Sequence, residues 1–300
     1  MADVVLAAVP TPFADDGSLD HACARRLYEF LGARIDGLLV AGTTGEFPAL
    51  NDDERLALVE IAVEVLGPDR VIAHIGAPDA YRAARLAREA AMLGVSRIAA
   101  ITPYYLAASA AEVTEYYLRI REAAPEPGLY AYIFPERTGL TVAPQQFCEL
   151  AGTVGLAGAK FSGVAARNVA ECAAALPGLR IFSGDDTDLA ATLRAGGAGI
   201  ISARSAAFPE AFGGLSAALA AAAGGFDRDG DRDGGRDGEV AARQADVSAI
   251  ASVGQSIGLV KEALRVRGFR PMAARMAVAE PDEATAARVA ELVKSLAPAA

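Results

Sequence analysis

Short apolar runs recur along the chain at residues 4–9, 36–41, 71–75, 97–101, 129–134, 157–161, 180–182 and 196–202. Stretches of helical periodicity separate them. Ser18-Leu19-Asp20 opens the first helix, which ends near Gly32. Asn51 with Glu54, and Ser109 with Glu112, have the spacing of an N-cap and its capping-box partner. Gly67-Pro68 and Gly94 stop the second and third helices. Further helices are expected at 109–124, from about 144, and at 165–175, with a short one before the last run. Apolar strands alternating with amphipathic helices imply a parallel sheet covered on its outer face. Eight such units predict an α/β fold, a (β/α)8 TIM barrel over residues 1–208. No spaced glycine fingerprint follows the first strand, which weakens an open doubly wound sheet.

Residues 209–300 predict a C-terminal helical appendage, with helices at 209–223, 239–267 and 282–296. A flexible, solvated insertion is expected at about 224–238. From Asp229 it superficially resembles a calcium loop, with Asp231, Asp233 and Gly234 in step. Its twelfth position is Val240, however, and Arg228, Arg232 and Arg236 oppose a cation.

Composition narrows the function. The net charge of −10 and the lack of a basic cluster argue against a nucleic-acid partner. No apolar run is long enough to span a membrane, and the amino terminus does not read as a signal peptide. Cys23, Cys148 and Cys172 have no metal-ligand spacing, so a reducing cytoplasm is the expected setting. With only His21 and His74, a multi-histidine metal site is excluded within one chain, and no metal is expected.

The chain supplies its positive charge as 25 arginines and only three lysines, Lys160, Lys261 and Lys294. Lys160 ends the apolar run Ala157-Gly158-Ala159-Lys160-Phe161. Arginine stays protonated at any useful pH, whereas a desolvated lysine can lose its proton and attack a carbonyl. The plainer alternative is a strand-end lysine whose stem packs while its ammonium reaches water. In a barrel the chemistry collects at the carboxyl ends of the strands. Those ends carry Thr43, Thr44, His74, Tyr104, Tyr105, Tyr132, Arg137, Lys160, Asp185 and Ser202. One amine, several hydroxyls and a guanidinium suit a Schiff-base enzyme acting on a keto acid: the amine forms the imine, a tyrosine relays protons, and loop groups and an arginine hold carboxylates. Each has a structural alternative. The tyrosines can be rim packing, His74 a hydrogen-bonded core residue, Asp185 and Asp186 a helix cap, and Arg137 the partner of Glu136 or Asp185.

Gly42-Thr43-Thr44-Gly45-Glu46, Thr102-Pro103-Tyr104-Tyr105, Tyr132-x-x-Pro135-x-Arg137-Thr138-Gly139, Gly158-x-Lys160 and Ser183-Gly184-Asp185-Asp186 stand in one order and register. In these the chain resembles the dihydrodipicolinate synthase / N-acetylneuraminate lyase family, over nearly its whole length. The resemblance implies a class I pyruvate-dependent aldolase, a lyase, assembled as a homotetramer. Its substrates would be a 2-oxo acid and an aldehyde, and it would need no cofactor beyond the covalent imine. By match, Lys160 would form the imine and Tyr132 would relay protons. Thr43 and Thr44 would bind the pyruvyl carboxylate, with Thr44 in the hydroxyl relay and Tyr105 completing it across a subunit contact. Arg137 would hold the second substrate's carboxylate, and the backbone of Ile201 would face the pyruvyl group. The chain departs from the pattern at Ile133, commonly asparagine, and at Phe161-Ser162, where the synthases have Glu-Ala. Glu136 replaces a small residue, and Ala73-His74-Ile75-Gly76 looks more like the lyase branch. The reading is a dihydrodipicolinate synthase-like aldolase. A true 4-hydroxy-tetrahydrodipicolinate synthase, a 2-keto-3-deoxy sugar acid aldolase or dehydratase, and a non-catalytic keto-acid binder are the alternatives.

Overall fold

The computed structural model describes residues 4–187, 189–223, 234–254 and 256–296. Eight parallel strands close into a barrel in sequence order. They are β1 (Val5–Ala8), β2 (Gly37–Val40), β3 (Val71–His74), β4 (Arg97–Ile101), β5 (Gly128–Ile133), β6 (Gly158–Phe161), β7 (Arg180–Ser183) and β8 (Gly199–Ser202). The first helices between them are α1 (His21–Gly32), α2 (Asp52–Leu66), α3 (Ala80–Met92) and α4 (Ala110–Ala123). The rest are the short α5 (Pro135–Thr138), α6 (Pro144–Val154), α7 (Val169–Ala175) and α8 (Leu189–Arg194). Beyond β8 come α9 (Arg204–Ala207), α10 (Pro209–Ala223), α11 (Gly234–Ala251), α12 (Ile257–Val266) and α13 (Glu283–Leu296). The barrel expected from the apolar runs is therefore present. Both capping boxes form: Asn51 accepts from the Glu54 N–H at 2.8 Å, Ser109 from the Glu112 N–H at 3.3 Å, and each glutamate returns to its cap's N–H.

Side chains alternate across each strand with period two. Leu6, Leu39, Ile72, Ala99, Tyr130, Phe182 and Ile201 point inward and fill the barrel's centre. Their neighbours Val5, Ala7, Leu38, Val40, Ala131 and Ile133 point outward and join the helices in the main core. Burying each large side chain contributes roughly 1.5–3 kcal/mol, so this double layer supplies most of the stability. The strand β6 has only Gly158 and Lys160 on its inner face, because Ala159 and Phe161 belong to the outer layer. Gly158 leaves room for the Tyr130 ring beside it.

The helical tail corrects one expectation. The single helix foreseen over 239–267 is two, α11 and α12. Gly254 adopts φ +102°, a conformation that side-chain-bearing residues rarely take, and Ser256 then caps α12 by accepting from the Leu259 N–H at 3.1 Å. Helix α11 also starts at Gly234, inside the stretch expected to be a flexible insertion. Residues 224–233 of that stretch, including most of the calcium-like pattern, lie outside the described residues. Helix α10 packs on β1, α9 and α11, and Glu210 at its start is tied to Arg267 at 2.9 Å. The tail returns to the top of the barrel: α12 buries Lys261 completely, and the chain after it bridges Ala273 to Phe13.

Because an added methyl at Gly158 would run into both the Tyr130 ring and the Arg180 carbonyl, Gly158→Ala is expected to destabilise by about 1–3 kcal/mol. The shift in urea midpoint at constant m-value measures it.

Candidate active site

Lys160 sits at the carboxyl end of β6, in register with Tyr132 of β5 and Phe182 of β7. Period two turns it inward, and the filled barrel centre lies beneath it. It is only 7% exposed. Its Nζ lies 4.6 Å from the centroid of the buried Tyr132 ring. The Tyr132 hydroxyl is 3.2 Å from Thr43 Oγ1, on the loop that leaves β2. An amine, a phenol and a hydroxyl from three different strands thus meet in one place.

The hydroxyl bonded to Tyr132 belongs to Thr43, not to Thr44 as the resemblance had been applied. The two threonines alternate sides along the loop, and only one can meet the phenol. Thr44 lines the same cavity. That cavity has a volume of about 470 Å³. Lys160, Tyr132, Thr43, Arg137 and Ile201 all border it, and Ile201 itself is buried in the barrel centre. Tyr105 is not among them. It is 93% exposed, with φ +80°, beside an apolar groove lined by Pro78, Tyr104, Leu106 and Ala111.

Arg137 lies on the single turn α5 with its guanidinium carbon 5.6 Å from the Phe134 ring centroid. Neither structural partner weighed for it is used: among the described residues it makes no ion pair with Glu136 or Asp185. Glu136 instead accepts the Val164 N–H at 2.7 Å, its carboxylate pressed against Gly163. Asp185 accepts from the N–H and hydroxyl of Thr187 at 3.1 and 2.7 Å. Asp186 is buried and is not a simple helix cap. Both its oxygens are engaged, one by the Ser202 hydroxyl and one by the Arg204 guanidinium, while burial pushes its pKa upward. Arg204 also donates to the Gly254 carbonyl at 3.1 Å and borders the cavity. Arg204, Ser162, Thr187 and Ser256 are wall residues that the sequence reading did not single out. The only signal for Arg204 was its place two residues beyond the last strand.

His74 takes the structural role. It is fully enclosed, edge-on to Phe47 at 4.6 Å and to Tyr132 at 6.0 Å. Nδ1 donates to the Ala41 carbonyl at 2.9 Å, and Nε2 accepts the Ile101 N–H at 3.3 Å, which fixes the neutral Nδ1–H tautomer. Burial, and then the nearby Arg55 guanidinium, hold its pKa well below the usual value. A second cavity of about 360 Å³ adjoins the first, sharing Thr43, Arg137, Ser256 and Ile257. Phe47, Ile101, Tyr104 and Met276 make it mostly apolar. Among the described residues, no group of three or more His, Cys, Asp or Glu side chains could hold a metal ion, and no helix is long and apolar enough to cross a membrane.

A nearly buried lysine on a barrel strand, facing a phenol–hydroxyl pair at the carboxyl end, defines a lyase of the class I aldolase type. The chain belongs to the dihydrodipicolinate synthetase family, whose sequence profile matches residues 1–295. It is similar to the 4-hydroxy-tetrahydrodipicolinate synthase of Caldicellulosiruptor bescii, 34% identical over 68% of this chain and 69% of the relative. The corresponding synthase of Xanthomonas axonopodis pv. citri is 36% identical over 69% of this chain and 70% of its own. Among solved structures, the Escherichia coli K12 prophage protein YagE, a member of the dihydrodipicolinic acid synthase family in complex with pyruvate, superposes with a TM-score of 0.85. The two are 25% identical over 98% of each chain. CdNal from Clostridium difficile, in complex with mannosamine, has the same fold, with a TM-score of 0.83 at 22% identity over 99% of each chain.

The His74 environment generates a pH prediction. Its folded pKa lies below the unfolded value of 6.5, so the unfolded chain takes up a proton first as pH falls. Stability from this group is complete above about pH 6.5 and declines below it, by up to about 1.4 kcal/mol per pH unit. Urea midpoints of wild type and His74→Asn at pH 7.5 and 5.5 should show the steeper loss in wild type.

Proposed function

We propose that this chain makes or cleaves a carbon–carbon bond between pyruvate, or a close 2-oxo acid, and an aldehyde, through an imine on Lys160. The observation that carries the reading is the Lys160–Tyr132–Thr43 cluster: an almost dry amine, 4.6 Å from the ring of a phenol that is itself hydrogen-bonded to a hydroxyl. The amine attacks the keto carbon and water leaves, giving the imine. Loss of a proton from the adjacent methyl carbon gives an enamine, whose carbon attacks the aldehyde. Tyr132 is placed to deliver and take up protons at the keto oxygen, and Thr43 to pass them on. Thr43 and Thr44 receive the 2-oxo acid carboxylate. The reaction needs no resident cofactor or metal, because the imine is the electron sink.

The aldehyde lies toward the opposite wall. Ser162, Asp185, Thr187, Arg204 and Ser256 offer donors and acceptors there, with Arg137 at the mouth. This polar wall favours a short aldehyde carrying hydroxyl or carboxylate groups. Tyr105, exposed on one chain, reaches a neighbour's site in a homotetramer. The mostly apolar second cavity, opening on Thr43, suits the arriving phenol. The cytoplasm is the setting that three unpaired cysteines favour.

Incubation with pyruvate, borohydride reduction and peptide mass analysis test the reading. A single reduced pyruvyl adduct on Lys160 is expected, and Lys160→Arg should abolish it. Folded protein without that adduct would sink the proposal. Tyr132→Phe is expected to slow turnover by on the order of 10²-fold or more. Tyr105→Phe should slow turnover without changing the oligomer seen by light scattering; unchanged turnover would remove Tyr105 from the relay.

A further inference from the structure

The loop carrying Thr43 and Thr44 is bracketed by two residues in conformations that side-chain-bearing residues avoid. Ala41 has φ +53° and Glu46 has φ +56°. Such geometry persists only where the surroundings impose it, and each end has its own restraint. At the Ala41 end, His74 Nδ1–H holds the Ala41 carbonyl, and Arg55 in turn holds the His74 carbonyl at 2.7 Å and the Gly76 carbonyl at 3.0 Å. At the other end, the Glu46 side chain is fully buried and points away from the cavity into the C-terminal segment. Its Oε1 is 2.5 Å from Lys261 Nζ. Its Oε2 accepts the Arg275 N–H at 2.9 Å and the Met276 N–H at 2.7 Å.

Lys261 is likewise fully buried, and its three ammonium hydrogens have three acceptors: Glu46, the Thr11 carbonyl at 3.0 Å and the Ala273 carbonyl at 2.5 Å. The Thr11 hydroxyl then donates to the Gly45 carbonyl at 2.7 Å. One ammonium thus reaches the loop twice, directly at Glu46 and through Thr11 at Gly45. A buried ion pair is weak evidence of stabilisation, since apolar residues of similar size often serve as well. A fixed direction is what this one supplies.

We infer that Lys261 and Glu46 are positioning residues for the carboxylate of the 2-oxo acid, acting through the Thr43–Thr44 loop from outside the site. The inference rests on the proposed role of that loop and goes beyond it. It makes the C-terminal segment 261–276 part of the recognition of the first substrate. It also separates recognition of the carboxylate from reactivity of the amine, because Lys261 and Glu46 touch neither Lys160 nor the cavity.

The test uses Lys261→Met and, to avoid leaving a buried charge alone, the double variant Glu46→Gln/Lys261→Met. Borohydride trapping at Lys160 is run with pyruvate and with acetone, a ketone that lacks the carboxylate. In wild type, pyruvate should be trapped at far lower concentration than acetone. In the folded variants the pyruvate preference should fall about tenfold or more, and KM for pyruvate should rise by a similar factor with a smaller change in kcat. A preference unchanged within about twofold would overturn the inference, as would a double variant that recovers thermal stability and pyruvate preference together. In wild type, saturating pyruvate should slow amide hydrogen exchange at Arg275 and Met276; exchange indifferent to pyruvate would also count against it. Absence of any wild-type pyruvate adduct would instead sink the aldolase reading itself, so the two failures are told apart.

Discussion

The site depends on the packing beneath it. Tyr130, Phe182, Leu6, Leu39 and Ile72 fill the barrel's centre, and Gly158 lies directly below Lys160 on the inner face of β6. A side chain at Gly158 would displace Tyr130, and a smaller residue at Tyr130 would leave a void under the lysine. With the centre filled, the lysine stem can run only upward, and water can reach the amine only from the cavity above. Burial of a charged ammonium is unfavourable. The barrel therefore holds the amine where losing its proton, or its charge in an imine, is helped by its surroundings. The cluster of Lys160, Tyr132 and Thr43 is a consequence of that floor and of strand register.

Charges around the cavity are arranged so that the acidic groups do not neutralise the working cations. Glu136 lies next to Arg137 in sequence, yet its carboxylate turns to the Val164 N–H across the β6 exit. Asp185 is occupied by Thr187, and Asp186 by Ser202 and Arg204. Each carboxylate has hydrogen-bond donors of its own, which lowers the cost of keeping it close to the site. Arg137 is left without an ion pair among the described residues. The negative charge that the sequence placed beside the second-substrate region is thus directed away from it. What remains on that wall is a set of hydroxyls and a guanidinium held in place by a buried aspartate.

Much of this was legible from residue order. Eight apolar runs between amphipathic stretches define the barrel because a parallel strand buried on both faces reads as a continuous apolar run. Asn51–Glu54 and Ser109–Glu112 announced their helices through local chemistry alone. Lys160 stood out because the chain otherwise uses arginine. Other features depend on three-dimensional placement. Which threonine meets Tyr132 turns on one peptide's orientation in the Gly42–Gly45 loop, and the motif is the same either way. Arg204 reads as an ordinary residue after a strand until Asp186 is seen beneath it. Lys261 precedes Glu262 in an amphipathic helix and reads as surface; only the fold carries it to Glu46, 215 positions earlier. The break at Gly254 was missed because helical periodicity resumes beyond it.

The departures from the family pattern look different once period two is applied to them. Ile133 follows Tyr132, and Phe161 follows Lys160, so both point outward. Ile133 is fully buried in the outer core, and Phe161 packs edge-on against Phe147 at 4.9 Å. These two substitutions therefore change how β5 and β6 pack on the helices, and leave the inward pair Tyr132–Lys160 in place. Ser162 differs, because it lies at the β6 exit and borders the cavity. Of the unusual residues around the lysine, the apolar ones belong to the scaffold and the polar ones to the aldehyde wall. A non-catalytic binder would have no need to keep the dry amine and its phenol together while varying the opposite wall. A lyase that retains its first substrate and changes its second has that need, and this division of inward and outward positions lets it do so without disturbing the imine.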